Sequence, residues 1–224
     1  MFNYKKILMI VVPLFVIAIA LFFYSNQEPE PLPKMTVQEK KARFISIILP
    51  VAKEVYADLL TRYQEVAAEL ETKESDKFDD LKQEYGATNN QELLMALKPH
   101  PISITLAQAA MESSWATSRF FREANNIFGV WSFDENDDRI AAGEKRGNKT
   151  IWLKKYSSVS AAIQDYYRTV ARGKAFVEFR RLNLTTNDPY ELVKKLDKYS
   201  EKGALYGEEL SAIIKFNKFY EHDK

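Results

Sequence analysis

The chain has 224 residues, enough for one or at most two domains, and 46% of them are hydrophobic, so a sizeable core can form. Its formal net charge of +1 gives no whole-chain reason to expect nucleic acid or other acidic partners. The absence of cysteine excludes disulfides and a cysteine nucleophile, while two histidines, His100 and His222, argue against a zinc site or a histidine-based catalytic triad.

The start of the chain has the pattern of a membrane segment. Lys5 and Lys6 precede an uncharged, apolar run over residues 7–24, close to the ~20 residues that span a bilayer core. Because no basic residue follows until Lys34, the body of the protein is expected outside the cytoplasm. A cleaved signal peptide is the alternative, but no small-x-small cleavage pattern follows the run. We therefore predict a cytoplasmic stub over residues 1–6 and a transmembrane signal anchor over residues 7–24.

Residues 25–35 are polar and proline-rich, which favours an extended linker. Thr36 to Glu39 then has the pattern of a capping box that opens a helix. Apolar residues follow at helical spacing from Phe44 to Leu70. Pro50 is expected to kink this helix or split it in two. The apolar stripe is broad and has no clean heptad, which favours packing on the domain over a coiled-coil arm.

The rest of the chain is predicted to be mainly α (α+β), with one small β excursion. Aspartate, asparagine and glycine turn signals precede strand-favouring residues, so a β-hairpin is expected within residues 133–155. We place a helical N-terminal extension at 36–98 and a second domain at 99–224. The predicted helices lie at 76–85 (closed by Gly86), at 90–97, from Ile102 toward Phe121, after a cap at Ser157 or Ser158, from Asp188-Pro189 through Leu196, and across Leu210, Ile213, Ile214 and Phe216.

Glu112 is the most conspicuous candidate for chemistry. No ionisable side chain precedes it in the helix predicted from Ile102, and apolar or small residues lie on every side of that helix, so the helix should be central. Burial disfavours the charged carboxylate and raises its pKa, as a general acid requires. Trp115, one turn on, can shield the carboxyl from water. The alternative is that Glu112 ends the buried stretch and pairs with Arg119 or Arg122.

The motif around this glutamate resembles the signature of a known family. The ordered run from Ala107 to Phe120, with its AQAA-x-ES-x-W core, and the following Asn125 to Trp131 are similar to the bacterial glucosaminidase family that cleaves peptidoglycan. That family includes the flagellar-rod hydrolase domain and staphylococcal-type autolysins. Lys155 to Tyr166 and Tyr199 to Tyr206 resemble its later motifs. The resemblance covers residues 38–217.

A shorter stretch resembles one subgroup more particularly. Residues 40–50 look like the bacterial Bax subgroup, which is unrelated to the apoptosis regulator. From that resemblance we expect an inner-membrane anchor with the N-terminus in the cytoplasm and the catalytic domain in the periplasm.

The family resemblance implies a lysozyme-like helical lobe with a small β-hairpin lobe, and it implies roles for particular residues. Glu112 matches the family's proton donor, and Tyr199 matches a tyrosine that helps position the substrate or intermediate. The second acidic residue lies on the β lobe, where Glu144 is our choice and Glu135, Asp137 and Asp138 are rivals. The residues implied in substrate binding are Trp115, Asn126, Phe128, Trp131 and Tyr166.

The sequence departs from the family pattern in two places. Ser113-Ser114 and Ala116 stand where a Ser-Gly-Trp-Gly pattern is commoner, which is expected to matter little for chemistry. The β-lobe segment 134–149 matches poorly in detail, and this weakens the choice of Glu144. The substrate's own 2-acetamido group therefore stays open as the second participant, and with it the stereochemistry of cleavage.

Three functions follow from these observations. The leading hypothesis is hydrolysis of the β-1,4 bond from N-acetylglucosamine to N-acetylmuramic acid in peptidoglycan, with no metal or cofactor. A lytic transglycosylase is the second, but those enzymes usually carry Gly-Leu-Met-Gln after the glutamate helix, where this chain reads Asn-Ile-Phe-Gly-Val-Trp. The third is a non-catalytic, anchored scaffold or glycan-binding protein. The expected partners are glycan strands and the inner membrane, with no nucleic acid and no protein partner indicated.

Overall fold

A 35-residue helix, α1 (Val37–Glu71), begins the body of the fold at the predicted capping box. The Thr36 backbone N–H donates to Glu39 at 2.7 Å, and the Glu39 N–H donates to the Thr36 hydroxyl at 3.3 Å. The helix runs through Pro50 as one element, so of the two predicted effects of this proline, a kink or a split, the split is wrong. An internal proline costs about 3 kcal/mol. Here the cost is offset by packing on both sides of it, where Phe44, Ile48, Ala52 and Val55 are at most 1% exposed.

The computed structural model describes residues 31–71, 76–147 and 149–224. The predicted stub, the anchor and most of the proline-rich linker lie outside these residues. Within the described ranges, no helix has both the length and the apolar character needed to cross a bilayer.

Eight further α-helices and four 3₁₀ segments follow α1 in the described chain, and most of the helices were predicted. Asn89 and Ser158 cap their helices by accepting backbone N–H groups, at 2.9 Å and 3.1 Å respectively. The 3₁₀ segments are Asp76–Phe78, Lys174–Phe176, Val193–Lys195 and Phe219–His222. The α-helices are α2 (Asp79–Tyr85), α3 (Asn90–Leu97), α4 (Ile102–Glu112), α5 (Arg119–Ala124), α6 (Val159–Arg172), α7 (Val177–Thr185), α8 (Pro189–Leu192) and α9 (Ala204–Phe216).

Helix α4 is the central element, as its composition predicted. Every residue from Ile102 to Ala110 is buried, and the helix packs against α1, α9 and the segment Phe219–His222. Pro101 provides no side-chain cap at its start. The Asp223 carboxylate does so instead, accepting the Ser103 backbone N–H at 2.8 Å from the far end of the chain.

The predicted hairpin is present as strands β1 (Arg139–Arg146) and β2 (Lys149–Lys154), which pair antiparallel. Its register shifts between Ala141 and Lys145, as a β-bulge does. An isolated bridge joins Trp131 to Leu153, so the chain segment after α5 is tied to the outer side of β2. The predicted β excursion is therefore confirmed.

The predicted extension over residues 36–98 contributes to the same core as the rest of the body. Phe44 and Val55 of α1 belong to the buried cluster that contains Ile104 of α4, and residues Met35–Lys224 form one compact unit. A second cluster joins Val66 of α1 to Phe78, Leu93 and Leu97.

Candidate active site

Glu112 is the last residue of α4, where the buried helix reaches partly accessible surface. Its Oε1 accepts a hydrogen bond from the Tyr206 hydroxyl of α9 at 2.9 Å. Burial raises the pKa of Glu112 above its usual value, while the Tyr206 hydrogen bond and the Lys202 charge lower it and the Glu209 charge raises it. The position at a helix C-terminus adds negative potential in the same direction as burial. A carboxyl in this setting can hold a proton nearer to neutral pH than an exposed one.

A chain of buried polar side chains continues behind Tyr206. The Gln108 side-chain amide donates to the Tyr206 hydroxyl at 2.9 Å and accepts from Tyr166. The Tyr166 hydroxyl in turn lies 2.9 Å from His100 Nε2. Gln108 and Glu112 are four residues apart, so they share one face of α4. Neither Gln108 nor Tyr206 was among the predicted site residues, although the spacing of Gln108 from Glu112 and the presence of Tyr206 in the last motif were signals for them.

Tyr199, predicted to be catalytic, lies beside Glu112 and Tyr206 because its ring packs on that of Tyr206. Its ring stacks on the Tyr206 ring with centroids 5.4 Å apart and planes 13° apart. Burial and then the nearby Glu112 charge raise the pKa of Tyr199, so its hydroxyl stays protonated and available as a donor. The structure therefore places Glu112, Tyr199 and Tyr206 together.

The chain leaves Glu112 through a left-handed turn instead of continuing the predicted helix. Ser114, Trp115 and Ala116 have φ angles of 52°, 63° and 57°. Because these residues are not helical, Trp115 does not stand one helical turn above Glu112. Its ring instead packs edge-on to Phe44, with centroids 5.4 Å apart. The Arg43 guanidinium holds the turn from outside by donating to the Ala116 carbonyl at 2.9 Å.

Replacing Ser114 with glycine is expected to stabilise the protein. Non-glycine residues in the left-handed region cost about 1–2 kcal/mol, whereas glycine loses about 0.5–1 kcal/mol more chain entropy on folding. Ser114 is exposed, so little packing is lost, and Ser114→Gly should raise the free energy of unfolding by about 0.5–1 kcal/mol. Urea denaturation followed by circular dichroism measures this change.

The control for this prediction is Ser46→Gly. Ser46 is also exposed but lies in the right-handed helix α1, where glycine should lower the free energy of unfolding by about 0.5–1 kcal/mol. A lower urea midpoint for Ser114→Gly would contradict the left-handed geometry of the turn.

The second predicted acid lies on the hairpin. Glu144 belongs to β1, but its side chain lies outside the described residues. Of its rivals, Asp137 accepts a hydrogen bond from the Ser132 hydroxyl at 2.9 Å, while Glu135 and Asp138 are exposed. The identity of the second acidic group therefore stays a prediction.

The predicted substrate-binding residues differ in exposure. Asn126 is 1% exposed, and its side-chain amide bonds to backbone groups of Val130 and Lys154 at 2.8–2.9 Å. Phe128 is 4% exposed, and its ring stacks on that of Tyr166, which is 1% exposed, at 4.1 Å. These three side chains thus present almost no surface to a ligand in this conformation. Trp131 is 42% exposed and contacts the 86% exposed Phe133 ring, so it is available for stacking.

The alternative pairing of Glu112 with Arg119 is not what the described residues form. Arg119 binds Glu123 at 2.9 Å and donates to the Ala141 carbonyl of β1. No group of three or more metal-ligating side chains occurs within the described residues. A cavity of about 350 Å³ lies elsewhere, between α1, α3, α6 and α7, and neither Glu112 nor Tyr206 lines it.

Comparison with known proteins gives three findings. The sequence model of the glucosaminidase family, described as mannosyl-glycoprotein endo-beta-N-acetylglucosaminidase, matches residues 87–219, more than half of the chain. Exo-glucosaminidase LytG of Bacillus subtilis is 25% identical over 201 residues, which are 81% of this chain and 65% of LytG. Protein bax of Escherichia coli is 30% identical over 123 residues, which are 52% of this chain and 43% of that protein.

The chain thus spans less than two thirds of the length of either relative. Among solved structures, a peptidoglycan hydrolase from Sphingomonas sp. A1 aligns over 80% of this chain and 91% of its own, with 15% identity and a TM-score of 0.49. A likeness of this degree carries no argument about function.

Proposed function

This chain belongs to the glucosaminidase family of glycoside hydrolases, and we propose that it hydrolyses the β-1,4 bond between N-acetylglucosamine and N-acetylmuramic acid in peptidoglycan. The observation that carries the proposal is Glu112, a partly buried carboxyl bonded to Tyr206 within the matched region. The names of the family and of LytG support a glucosamine-containing substrate. The lysozyme-like arrangement of a helical lobe and a β lobe is part of this proposal.

In the proposed reaction Glu112 acts as the general acid. Its carboxyl gives a proton to the glycosidic oxygen as the bond from that oxygen to the anomeric carbon breaks, and positive charge develops on the sugar ring. Water then adds to the anomeric carbon and loses a proton, which leaves a reducing end. In this proposal the Tyr199 hydroxyl, whose raised pKa keeps it protonated at neutral pH, donates a hydrogen bond to the substrate or intermediate.

Either Glu144 or the 2-acetamido group of the substrate completes this reaction. A carboxylate would activate water or attack the anomeric carbon, depending on its separation from Glu112, and the acetamido oxygen would attack from within the substrate. Trp131 and Phe133 offer an exposed aromatic surface for sugar rings.

We also propose that residues 7–24 anchor the chain in the inner membrane with the body in the periplasm. The supporting observations are the apolar run behind Lys5 and Lys6 and the similarity to protein bax of Escherichia coli. This location would bring the glucosaminidase region to peptidoglycan.

Digestion of purified sacculi tests the proposed bond specificity. The full-length chain, purified in detergent, should release fragments whose new reducing ends are N-acetylglucosamine, identified by borohydride reduction and mass spectrometry. Ends carrying 1,6-anhydro-N-acetylmuramic acid would show a lytic transglycosylase instead. No release, with retention of the chain on sacculi, would show a glycan-binding protein. Either of these two results would overturn the proposal.

A further inference from the structure

We propose that Tyr166 and Gln108 are positioning residues, which act through Tyr206 to fix the Glu112 carboxyl for proton donation without touching substrate themselves. This inference rests on the proposed role of Glu112 as the general acid. It assigns to Tyr166 a function different from the substrate binding that the family resemblance implied. It also gives a function to His100, which stands at the far end of the chain of hydrogen bonds.

The first support is that the side chains that form this chain of hydrogen bonds are closed to solvent. Gln108 is fully buried, Tyr166 and Tyr206 are each 1% exposed, and His100 is 2% exposed. Water therefore has little access to replace a partner that is removed from Gln108, Tyr166 or Tyr206, none of which lines the 350 Å³ cavity that His100 borders. Each hydrogen bond in the chain is stronger in such a low-dielectric interior than at the surface, and each polarises the next.

The second support is that the donors run in one direction. An ionised Glu112 can only accept, so the hydroxyl proton of Tyr206 is committed to Glu112 Oε1. The Tyr206 oxygen can then accept from the Gln108 amide nitrogen, which leaves the Gln108 oxygen to accept from Tyr166. This fixes the orientation of the Gln108 amide, which would be ambiguous in isolation.

His100 completes the direction of the chain. Because the hydroxyl proton of Tyr166 goes to Gln108, the contact with His100 at 2.9 Å requires a proton on His100 Nε2. Burial lowers the pKa of His100 to about 3, so the ring is neutral with Nε2–H as its donor. Pro101 also restricts the backbone of His100 to extended conformations.

The two carboxyl oxygens of Glu112 therefore have different roles. Oε1 is held as an acceptor by Tyr206, so the transferable proton is carried by Oε2. The other titratable groups that face Glu112 are Tyr199, Lys202 and Glu209. Lys202 and Glu209 bind each other at 2.7 Å, and their charges act on the Glu112 pKa in opposite directions. The Tyr206 donor is thus the main local contact that favours the ionised carboxylate.

Tyr166→Phe tests the proposal at a hydroxyl that lies three hydrogen bonds away from the Glu112 carboxyl. The Phe ring keeps the stacking on Phe128, but the Gln108 oxygen loses its donor, and its amide is then held only by the hydrogen bond to Tyr206. We expect kcat on soluble glycan fragments to fall by about tenfold at unchanged KM, less than the ~10²-fold or more lost with a whole general acid. The alkaline limb of the pH–kcat profile should move to higher pH, because weaker donation from Tyr206 raises the pKa of Glu112.

Tyr167→Phe is the matched control. Tyr167 is the next residue on α6 and is also buried, but its hydroxyl accepts from Thr105 at 2.8 Å and donates to the His100 carbonyl, with no hydrogen bond to Gln108 or Tyr166. It meets the proposed hydrogen-bond chain only at the far end, where Thr105 lies 3.3 Å from His100 Nε2. This variant should lose a similar amount of stability while keeping the wild-type pH profile. Tyr206→Phe is the second test variant, and it should move the alkaline limb in the same direction and further.

The outcomes separate this inference from the proposed function. If Tyr166→Phe and Tyr206→Phe lose stability like Tyr167→Phe but keep the wild-type pH profile, the hydrogen-bond chain has only a structural role and the inference is overturned. If Glu112→Gln is fully active, the proposed function of Glu112 fails before the positioning residues are considered. Circular dichroism and thermal melts of each variant exclude unfolding as the cause.

Discussion

Glu112→Gln is expected to lower the rate of glycan cleavage by about 10²–10⁴-fold, the contribution of a general acid, while the protein stays folded. Glutamine has nearly the same shape as glutamate and keeps an oxygen that can accept the Tyr206 hydroxyl proton at the site of the 2.9 Å bond. It has no transferable proton, so the glycosidic oxygen would have to leave unprotonated. Release of fragments from sacculi, measured under single-turnover conditions, reports the loss.

The same substitution should increase stability in a pH-dependent way. Burial raises the folded-state pKa of Glu112 above its unfolded value, so folding penalises the ionised carboxylate. The penalty is absent at low pH, where the carboxyl is protonated in both states, and it is present above the folded-state pKa. The stability gained by Glu112→Gln over the wild type should therefore appear as pH rises through that pKa and persist at neutral pH.

Glu208→Gln is the control for both measurements. Glu208 is an exposed carboxylate on α9, close in sequence to Tyr206. Its replacement should leave the cleavage rate near that of the wild type. The free energy of unfolding should change by less than about 0.5 kcal/mol, as is usual for a surface site. Wild-type cleavage by Glu112→Gln would show that another group supplies the proton.

Local signals in the sequence were sufficient to predict most of the helices. The capping box at Thr36, the glycine at 86 and the Asp188-Pro189 pair all lie where the structure begins or ends a helix. These signals act through nearby backbone groups, so they can be recognised without knowing the tertiary structure. The family predicted from the motif around Glu112 is likewise confirmed.

The features missed from the sequence depend on distant partners. Helix α7 was not predicted, because only Phe179 and Asn183 are buried along it and its apolar stripe is weak. The left-handed turn at Ser114 has no glycine to mark it, and its support comes from Arg43, more than seventy residues earlier. The hydrogen bond between Tyr206 and Glu112 joins residues 94 positions apart. Such contacts follow from how α9 packs on α4, which a single sequence does not specify.

That packing depends on a glycine next to Tyr206. Gly207 lies in the first turns of α9, where glycine is unfavourable by about 0.5–1 kcal/mol relative to alanine, so its presence needs a reason. A Cβ at this position would lie 2.7 Å from the Val193 carbonyl oxygen and 3.4 Å from the Lys194 Cα. Both atoms belong to the backbone of the 3₁₀ segment Val193–Lys195, so no side-chain rotation can make room.

Gly207→Ala is therefore expected to destabilise the protein in spite of the gain in helix propensity. Overpacking costs typically about 1–3 kcal/mol, which exceeds the propensity gain. The clash should also push α9 away from Val193 and shift Tyr206 from Glu112, so we expect at least about a tenfold loss of cleavage at temperatures where the variant is fully folded. Urea denaturation and sacculus digestion measure the two effects.

Glu208→Ala separates the clash from the change in propensity, because it places alanine at the next, exposed position of the same helix. This control should leave stability and cleavage near wild type. If Gly207→Ala is as stable as Glu208→Ala, helix α9 does not pack tightly against the Val193 backbone at Gly207. If it is destabilised but cleaves at the wild-type rate, the seating of α9 contributes to the fold without determining the contact between Tyr206 and Glu112. The expected loss of both stability and cleavage would show that the close approach of Gly207 to the Val193 backbone maintains the fold and the contact between Tyr206 and Glu112.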